Sequence, residues 1–302
     1  SIAVRTGQFL KHNKAFGELL AYDTDHFENL RLADLLSPGE DPAVIAPVTS
    51  GGTCKEHEIK VQCSNGEPLY VLLSSTPARD ASGEIEEIRL TLVDVTERRA
   101  IEKRIARQNR DLSTLSRVNE AVMQVTAEEQ LLRDVCRILV EIGGQKFAWA
   151  GYEQHDENCS ILPMASYGFE KRFLECTRYS WKEDPQGREP TGEVIRGARS
   201  VVVEDVSSDP FYAPWREEAL QRGYRSILAL PLCSHGDAFG VITLYNEKAD
   251  AFDEDSVVSL TRVSENIARG IMTLRSEQAR QQAEADLKKL AQDLQVAKEE
   301  AD

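Results

Sequence analysis

Two stretches of helical periodicity, residues 101–122 and 287–301, constrain the fold of this chain more than any other feature. In each stretch apolar side chains recur at spacings of three and four residues, which is the pattern of an amphipathic helix. Each stretch follows a longer segment in which short apolar runs alternate with Gly, Pro and Asn turns. The sequence therefore predicts two globular domains, each followed by a helical stalk.

The charge and the cysteines limit the partners and the compartment. The net charge of −15 in 302 residues argues against a nucleic-acid or anionic-membrane surface, which needs clustered Lys and Arg. No apolar run approaches the roughly 20 residues of a membrane span. The six cysteines are unevenly spaced, so we expect reduced thiols in a soluble, cytoplasmic protein. Because the sequence starts without Met and stops inside a helical pattern, we expect a piece of a longer protein.

Residues 1–96 have the pattern of a small α+β domain. A helix is predicted to begin at Asn13, and the period changes to two between residues 56 and 93, with turns at Asn65-Gly66 and at residues 80–83. Asp94-Val95-Thr96 then closes the last strand and leads into a helix. These features resemble a PAS domain. The resemblance implies a sensor domain in which Asp94 and Thr96 form the turn that transfers a signal to the following helix.

Residues 119–275 carry a second pattern of helices around an antiparallel sheet. The motifs are Trp-Ala-Gly-Tyr at 149–152, Pro-Thr-Gly at 190–192, Gly-Tyr-Arg-Ser at 223–226 and a glycine-led strand at 240–245. This segment resembles a GAF domain. The resemblance implies a domain that binds a small molecule, a pigment or nothing, and that often serves in dimerisation and relay. The fold class is α+β, with two domains that each have a central antiparallel sheet flanked by helices.

The linker at 97–122 and the C-terminal stalk at 276–302 have a heptad pattern typical of a coiled coil. We expect a parallel homodimer whose seam is formed by one set of residues: Ile101, Ile105, Gln108, Leu112, Leu115, Asn119, Leu287, Leu290 and Leu294. Gln108 and Asn119 are polar interruptions that cost stability and either fix the register or leave the helix pair poised between registers. A single solvated connector helix remains the alternative for the linker, since three heptads are near the lower limit for this pattern.

Several aromatic and basic residues of the second segment are candidates for lining a ligand pocket: Trp149, Tyr152, Tyr167, Trp181, Arg188, Arg196 and Trp215. No metal is expected, because the close combinations of Cys and His are only the pairs His155 with Cys159 and Cys233 with His235, and a zinc site needs more ligands. The sequence names no cofactor. It also contains no phosphate-binding loop, nucleophile elbow or metalloprotease motif, so we expect no catalytic residues.

The two resemblances together imply the sensory fragment of a signal-transduction protein, as in bacterial sensor histidine kinases and diguanylate cyclases. In this hypothesis dimeric helices relay a ligand or conformational state to a C-terminal output domain, so the fragment itself is not an enzyme. The alternative hypothesis is a constitutive dimerisation scaffold whose second domain is filled by its own side chains. Neither hypothesis identifies the ligand.

Overall fold

The computed structural model describes residues 1–22, 27, 29–168, 179–184 and 187–301, with side chains as far as residue 292. The chain divides into two compact units, Ser1–Ile105 and Ala106–Asp302. The helices and strands are, in chain order, α1 (Lys14–Leu20), α2 (Ala46–Thr49), β1 (Cys54–Gln62), β2 (Pro68–Arg79), β3 (Ile85–Asp94), α3 (Thr96–Gln124), α4 (Glu128–Glu141), β4 (Phe147–Glu153), β5 (Ile161–Gly168), α5 (Pro190–Gly197), β6 (Val201–Val203), α6 (Arg216–Gln221), β7 (Ser226–Ser234), β8 (Asp237–Asn246) and α7 (Glu254–Ala301).

The first unit is a three-stranded antiparallel sheet in the order β1-β2-β3. The turn between β1 and β2 contains Gly66, whose φ of 85° suits a residue without a side chain. Residues on one face of the sheet are fully buried, because alternate side chains of a strand share a face. They are Ile59, Val61, Val71, Leu73 and Ile88. The period-two pattern of residues 56–93 therefore marks this sheet as the sequence predicts.

Short helices cover the buried face of that sheet. The Asn13 side chain caps α1 by accepting a hydrogen bond from the backbone N–H of Phe16 at 3.0 Å. Leu20 of α1 is fully buried in the same core as Leu32 and Leu35 of a 3-10 helix. The first residues of the chain add to the sheet edge through a bridge between Ile2 and Ile88.

The second unit is a five-stranded antiparallel sheet in the order β5-β4-β8-β7-β6. Trp149 of β4 pairs with Thr243 of β8, and Leu228 of β7 pairs with Leu244 of β8. A two-residue turn joins β7 to β8, and its residues His235 and Gly236 both have positive φ, as a tight hairpin requires.

The five-stranded sheet has a separate hydrophobic core on each face. On one face α4, α7 and the second half of α3 supply side chains such as Leu132, Ile267 and Val118. On the other face α5, α6 and the segments around them pack against Trp149 and Tyr245. Both units are therefore antiparallel sheets flanked by helices, which confirms the predicted α+β class.

Two long helices follow the sheets. α3 has 29 residues and begins at Thr96, close to the predicted start of the linker at residue 97. α7 has 48 residues, and its side chains from Ser276 to residue 292 are exposed. None of the described helices combines the length and the apolar character that a membrane-crossing segment needs.

Candidate functional site

The predicted pocket residues lie on two opposite faces of the five-stranded sheet. Trp149 belongs to the core under α5 and α6, whereas Tyr152 belongs to the core under α4 and α7. Tyr167 of β5 is 38% exposed and donates its hydroxyl hydrogen to Glu141 of α4. The structure therefore does not bring the seven candidates together in one site.

The α5 face of the sheet carries a buried aromatic cluster around Trp149. The Trp149 ring lies 4.4 Å from the Tyr179 ring, and the Tyr224 and Tyr245 rings are 4.7 Å apart, measured between centroids. Tyr245 is fully buried, and burial raises the pKa of its phenol well above the usual value. Trp181 and Trp215 are half-buried against this cluster. The cluster is therefore an apolar core that also contains the hydroxyl and indole groups of its aromatic residues.

Glu189 places a carboxyl group in the same region of the domain. It directly precedes α5, only 7% of it is exposed, and burial raises its pKa to about 8. A hydrogen bond from Thr191 opposes this shift, and the nearby Glu218 carboxylate adds to it. Thr191 in turn lies 3.4 Å from the hydroxyl of Thr243 on β8. At neutral pH the Glu189 carboxyl is therefore mostly protonated and uncharged.

Arg196 holds the segment that leads into α5. Its Nη1 donates to the backbone oxygens of Trp181 at 2.9 Å, Lys182 at 3.2 Å and Gly187 at 2.7 Å. The Trp181 indole donates to the backbone oxygen of Gln154 at 3.2 Å. These two predicted pocket residues therefore fix a loop beside the cluster. Arg188 is exposed and lines a surface pocket next to α5.

On the α7 face, Tyr152 joins a charged contact that involves four elements, β4, β8, α4 and α7. The Arg275 guanidinium of α7 lies 4.9 Å from the Tyr152 ring centroid and 5.0 Å from that of Phe239 on β8. It also pairs with Glu128, in the first turn of α4, at 2.7 Å. Burial raises the pKa of Glu128, but the hydrogen bonds and the positive charge of Arg275 act against this and leave the pKa below its usual value. The end of the domain-bound part of α7 is thus held to the sheet.

In the first unit, the predicted signal-transfer turn joins the sheet to α3. The Asp94 side chain accepts a hydrogen bond from the backbone N–H of Thr96 at 2.8 Å. The Thr96 hydroxyl accepts one from the backbone N–H of Tyr70 on β2 at 2.9 Å. One turn later, Arg99 pairs with Glu58 of β1 and lies 4.5 Å from the centroid of the Tyr70 ring.

The predicted seam of α3 has two different environments. Ile101, Ile105, Gln108 and Leu112 are exposed. Leu115 is half-buried in the α7-side core, and the Asn119 side chain accepts a hydrogen bond from Asn266 of α7 at 2.7 Å. Leu287 and Leu290 of α7 are exposed, whereas the side chain of Leu294 lies outside the described part of the chain. The heptad positions of Leu115 and Asn119 therefore form contacts within one chain.

The described residues contain no group of three or more His, Cys, Asp and Glu side chains placed to hold a metal ion. Cys54, Cys63, Cys136, Cys159 and Cys233 are free thiols. Burial raises the pKa of the Cys136 thiol to about 12, so this thiol stays protonated and unreactive at neutral pH.

Comparisons with known proteins agree with this architecture. Residues 2–97 match the sequence profile of the PAS domain, and residues 125–272 match that of the GAF domain. The chain therefore contains a PAS domain followed by a GAF domain. Tyr70, Asp94 and Thr96 lie in the PAS domain, and the aromatic cluster and Arg275 lie in or directly after the GAF domain.

One curated relative is the methyl sulfide methyltransferase-associated sensor of Methanosarcina acetivorans, with 26% identity over 238 residues. The match covers 75% of this chain but only 22% of that protein. The two domains and this sensor-named relative support a sensory or regulatory role.

Two solved structures illustrate the likeness of the GAF domain to known ones. The free methionine-R-sulfoxide reductase of Neisseria meningitidis, solved with its substrate, has 21% identity and a TM-score of 0.47, with 55% of this chain and 91% of that chain covered. The GAF domain of a phosphoenolpyruvate-protein phosphotransferase from Coxiella burnetii has 20% identity and a TM-score of 0.48, with 56% and 96% covered.

Proposed function

We propose that this chain is the cytoplasmic sensory part of a signal-transduction protein that acts as a parallel homodimer. The states of the PAS and GAF domains bias the pairing of α3 and α7 between two copies, and α7 passes this bias to a C-terminal output domain. A histidine kinase or a diguanylate cyclase is the output domain that fits such a helix. The fragment itself carries no catalytic role in this proposal.

The observation that carries this proposal is the stripe of large apolar side chains that one copy leaves in water. Ile101 and Ile105 are both 51% exposed and Leu112 is 64% exposed, on one face of α3. Leu287 and Leu290, on α7, are 66% and 57% exposed. Single exposed apolar residues are ordinary on protein surfaces. A set with heptad spacing on a long helix is typical of a coiled-coil seam.

The attachments of the two helices support a relay. The first turn of α3 is fixed to the PAS sheet through Thr96 and Tyr70. α7 is fixed to the GAF sheet and to α4 through Arg275. A rearrangement of either sheet therefore moves the start or the exit of a helix that carries seam residues.

The aromatic cluster around Trp149 supports a small-molecule ligand for the GAF domain. β4 links this cluster to the relay, because Trp149 faces the cluster and Tyr152, three residues later, contacts Arg275. A ligand that binds one state of the cluster more tightly shifts the population of the two states. The size of this shift is set by the difference between the ligand's affinities for the two states.

The close packing of the cluster favours a second candidate, a constitutive dimerisation scaffold. Trp149 is fully buried and its ring is in direct contact with that of Tyr179. In this candidate the aromatic side chains themselves fill the pocket, and α3 and α7 hold two copies together without a signal.

Analytical ultracentrifugation of two double variants tests the dimer. Ile105→Lys with Leu112→Lys places charges in the stripe, and both positions are exposed in a single copy, so the fold stays intact. Ala106→Lys with Ser113→Lys is the matched control, because these exposed residues are each one position further along the helix. We expect the first variant to be monomeric and the control to remain dimeric. A monomeric parent chain, or equal dimerisation of both variants, contradicts the seam.

A further inference from the structure

A surface pocket of about 530 Å³ lies beside α5, outside the aromatic cluster. Its charged and aromatic lining consists of three arginines, two glutamates and one phenylalanine: Arg188, Arg196, Arg199, Glu183, Glu193 and Phe211. The volume is within the range of small-molecule sites, about 300–1,000 Å³. Three guanidinium groups against two carboxylates give this pocket a positive charge in a chain whose net charge is −15.

The three arginines differ in how far their guanidinium groups already bind other groups of the protein. Arg196 donates to three backbone oxygens and is a structural residue. Arg199 pairs with Glu193 at 3.2 Å, and its side chain is 73% exposed. Arg188 forms no ion pair with any carboxylate in the part of the chain that the structure describes. The guanidinium groups of Arg188 and Arg199 are therefore the ones that can bind an anion in this pocket.

The backbone at the end of α5 directs Arg199 toward the pocket. Ala198 has a left-handed φ of 48° and ends the helix. A Cβ atom built on Gly197 would lie 3.4 Å from Cγ of Arg199. The aliphatic part of Arg199 thus lies back over the last turn of α5, which brings its guanidinium group to the same pocket as Arg188.

Phe211 supplies an aromatic face at this pocket. Its side chain is 56% exposed, so the ring is accessible to a ligand in the pocket. The turn beneath it is well held, because the backbone N–H of Phe211 donates to Asp209 Oδ1 at 2.8 Å and Arg216 donates to the Asp209 backbone oxygen at 2.8 Å. The ring is therefore presented to solvent by an ordered turn.

We propose that this pocket binds a small aromatic oxyanion, an aromatic ring that carries a carboxylate or a phosphate group. Arg188 and Arg199 bind the oxyanion, since guanidinium groups form paired hydrogen bonds with carboxylate and phosphate oxygens. Phe211 packs against the ring of the ligand. The residues proposed to contact the ligand, Arg188, Arg199 and Phe211, lie outside the aromatic cluster around Trp149.

Isothermal titration calorimetry on the full chain tests this site with four probes. They are phenyl phosphate, benzoate, inorganic phosphate and benzylamine. We expect saturable binding of phenyl phosphate or benzoate, with the tighter of the two identifying the oxyanion. Inorganic phosphate lacks the ring and benzylamine has the opposite charge, so we expect both to bind at least about tenfold more weakly.

Three single variants assign the binding to these residues. Arg188→Gln should weaken the binding of the tighter aromatic probe by about tenfold or more, because it removes a charge-assisted hydrogen bond. Phe211→Ala should remove the preference over inorganic phosphate. Arg262→Gln is the control, since Arg262 is exposed on α7 and outside the pocket. The proposal is overturned by absence of saturable binding of both aromatic anions, by equal binding of inorganic phosphate, or by equal losses in Arg188→Gln and Arg262→Gln.

Discussion

The guanidinium group of Arg275 donates two hydrogen bonds to the Glu128 carboxylate, from Nη2 at 2.7 Å and from Nε at 3.0 Å. Arg275 is the last residue of α7 that is half-buried among the described side chains, and every described side chain after it is exposed. This pair therefore marks the point at which α7 leaves the GAF domain. The Tyr152 ring beside the guanidinium group connects the same point to β4.

Arg275→Gln should loosen the exit of α7. Both partners are partly exposed, so we expect a loss of only about 1 kcal/mol in the free energy of unfolding. Amide hydrogen exchange should become faster in the last turns before residue 275. The control is Arg280→Gln, which removes ion pairs with Glu277 and Glu284 on the exposed part of α7 and should cost less than about 0.5 kcal/mol. Equal losses in the two variants contradict a special role for Arg275.

Gly270 allows α3 and α7 to approach closely within the second unit. A Cβ atom on Gly270 would lie 2.6 Å from Cγ1 of Val122. Gly270→Ala should therefore destabilise the domain by about 1–3 kcal/mol through overpacking, although Ala normally favours a helix by about 1 kcal/mol over Gly. Adding Val122→Ala should recover part of this loss. A double-mutant cycle measured by chemical denaturation checks this coupling, and strictly additive effects contradict the contact.

Glu189→Gln should change how stability depends on pH. Burial raises the pKa of Glu189 from 4.5 to about 8, so the folded state keeps a proton that the unfolded state releases between these values. The stabilisation is complete below about pH 4.5, falls by about 1.4 kcal/mol per pH unit as the pH rises, and is lost above about pH 8.

Denaturant unfolding at several pH values measures this effect. The free energy of unfolding of Glu189→Gln relative to the parent chain should rise steadily from about pH 5 to about pH 8. Glu217→Gln, at an exposed position of α6, should show no such trend. A flat difference for Glu189→Gln means that the carboxyl group is not buried as described.

The strands and the helix starts were predictable because each depends on a short pattern. The alternation of residues 56–93 marks the PAS sheet, and Asn13 is an N-cap by residue type and by position. Trp149 and Tyr152, both candidates for lining a ligand pocket, lie on opposite faces of the sheet, and the sequence already contained the signal for this separation. Residues three apart in a strand point to opposite faces, and β4 obeys this rule.

Other features of the site depend on tertiary structure that no local pattern shows. Glu189 is a charged residue next to a proline, and charged residues usually lie at the surface. Only the position of α5 against the sheet buries it. The heptad positions of Leu115 and Asn119 do not indicate whether the partner helix belongs to the same chain. Gly270, inside a helical pattern, was the available signal of a close approach between helices.

Disulfide formation between two copies of the Leu290→Cys variant tests the relay most directly. Leu290 is exposed on α7, beyond Arg275. Thr96→Val removes the acceptor of the Tyr70 N–H in the PAS domain, whereas Thr91→Val changes an exposed residue of β3. Cross-linking is measured under mild oxidation, with the cross-linked peptide identified by mass spectrometry.

We expect the Leu290→Cys chains to cross-link readily. Adding Thr96→Val should change the cross-linking rate several-fold, and adding Thr91→Val should leave it unchanged. Absence of the cross-link, or identical rates in the two backgrounds, contradicts the claim that the PAS domain controls the pairing of α7.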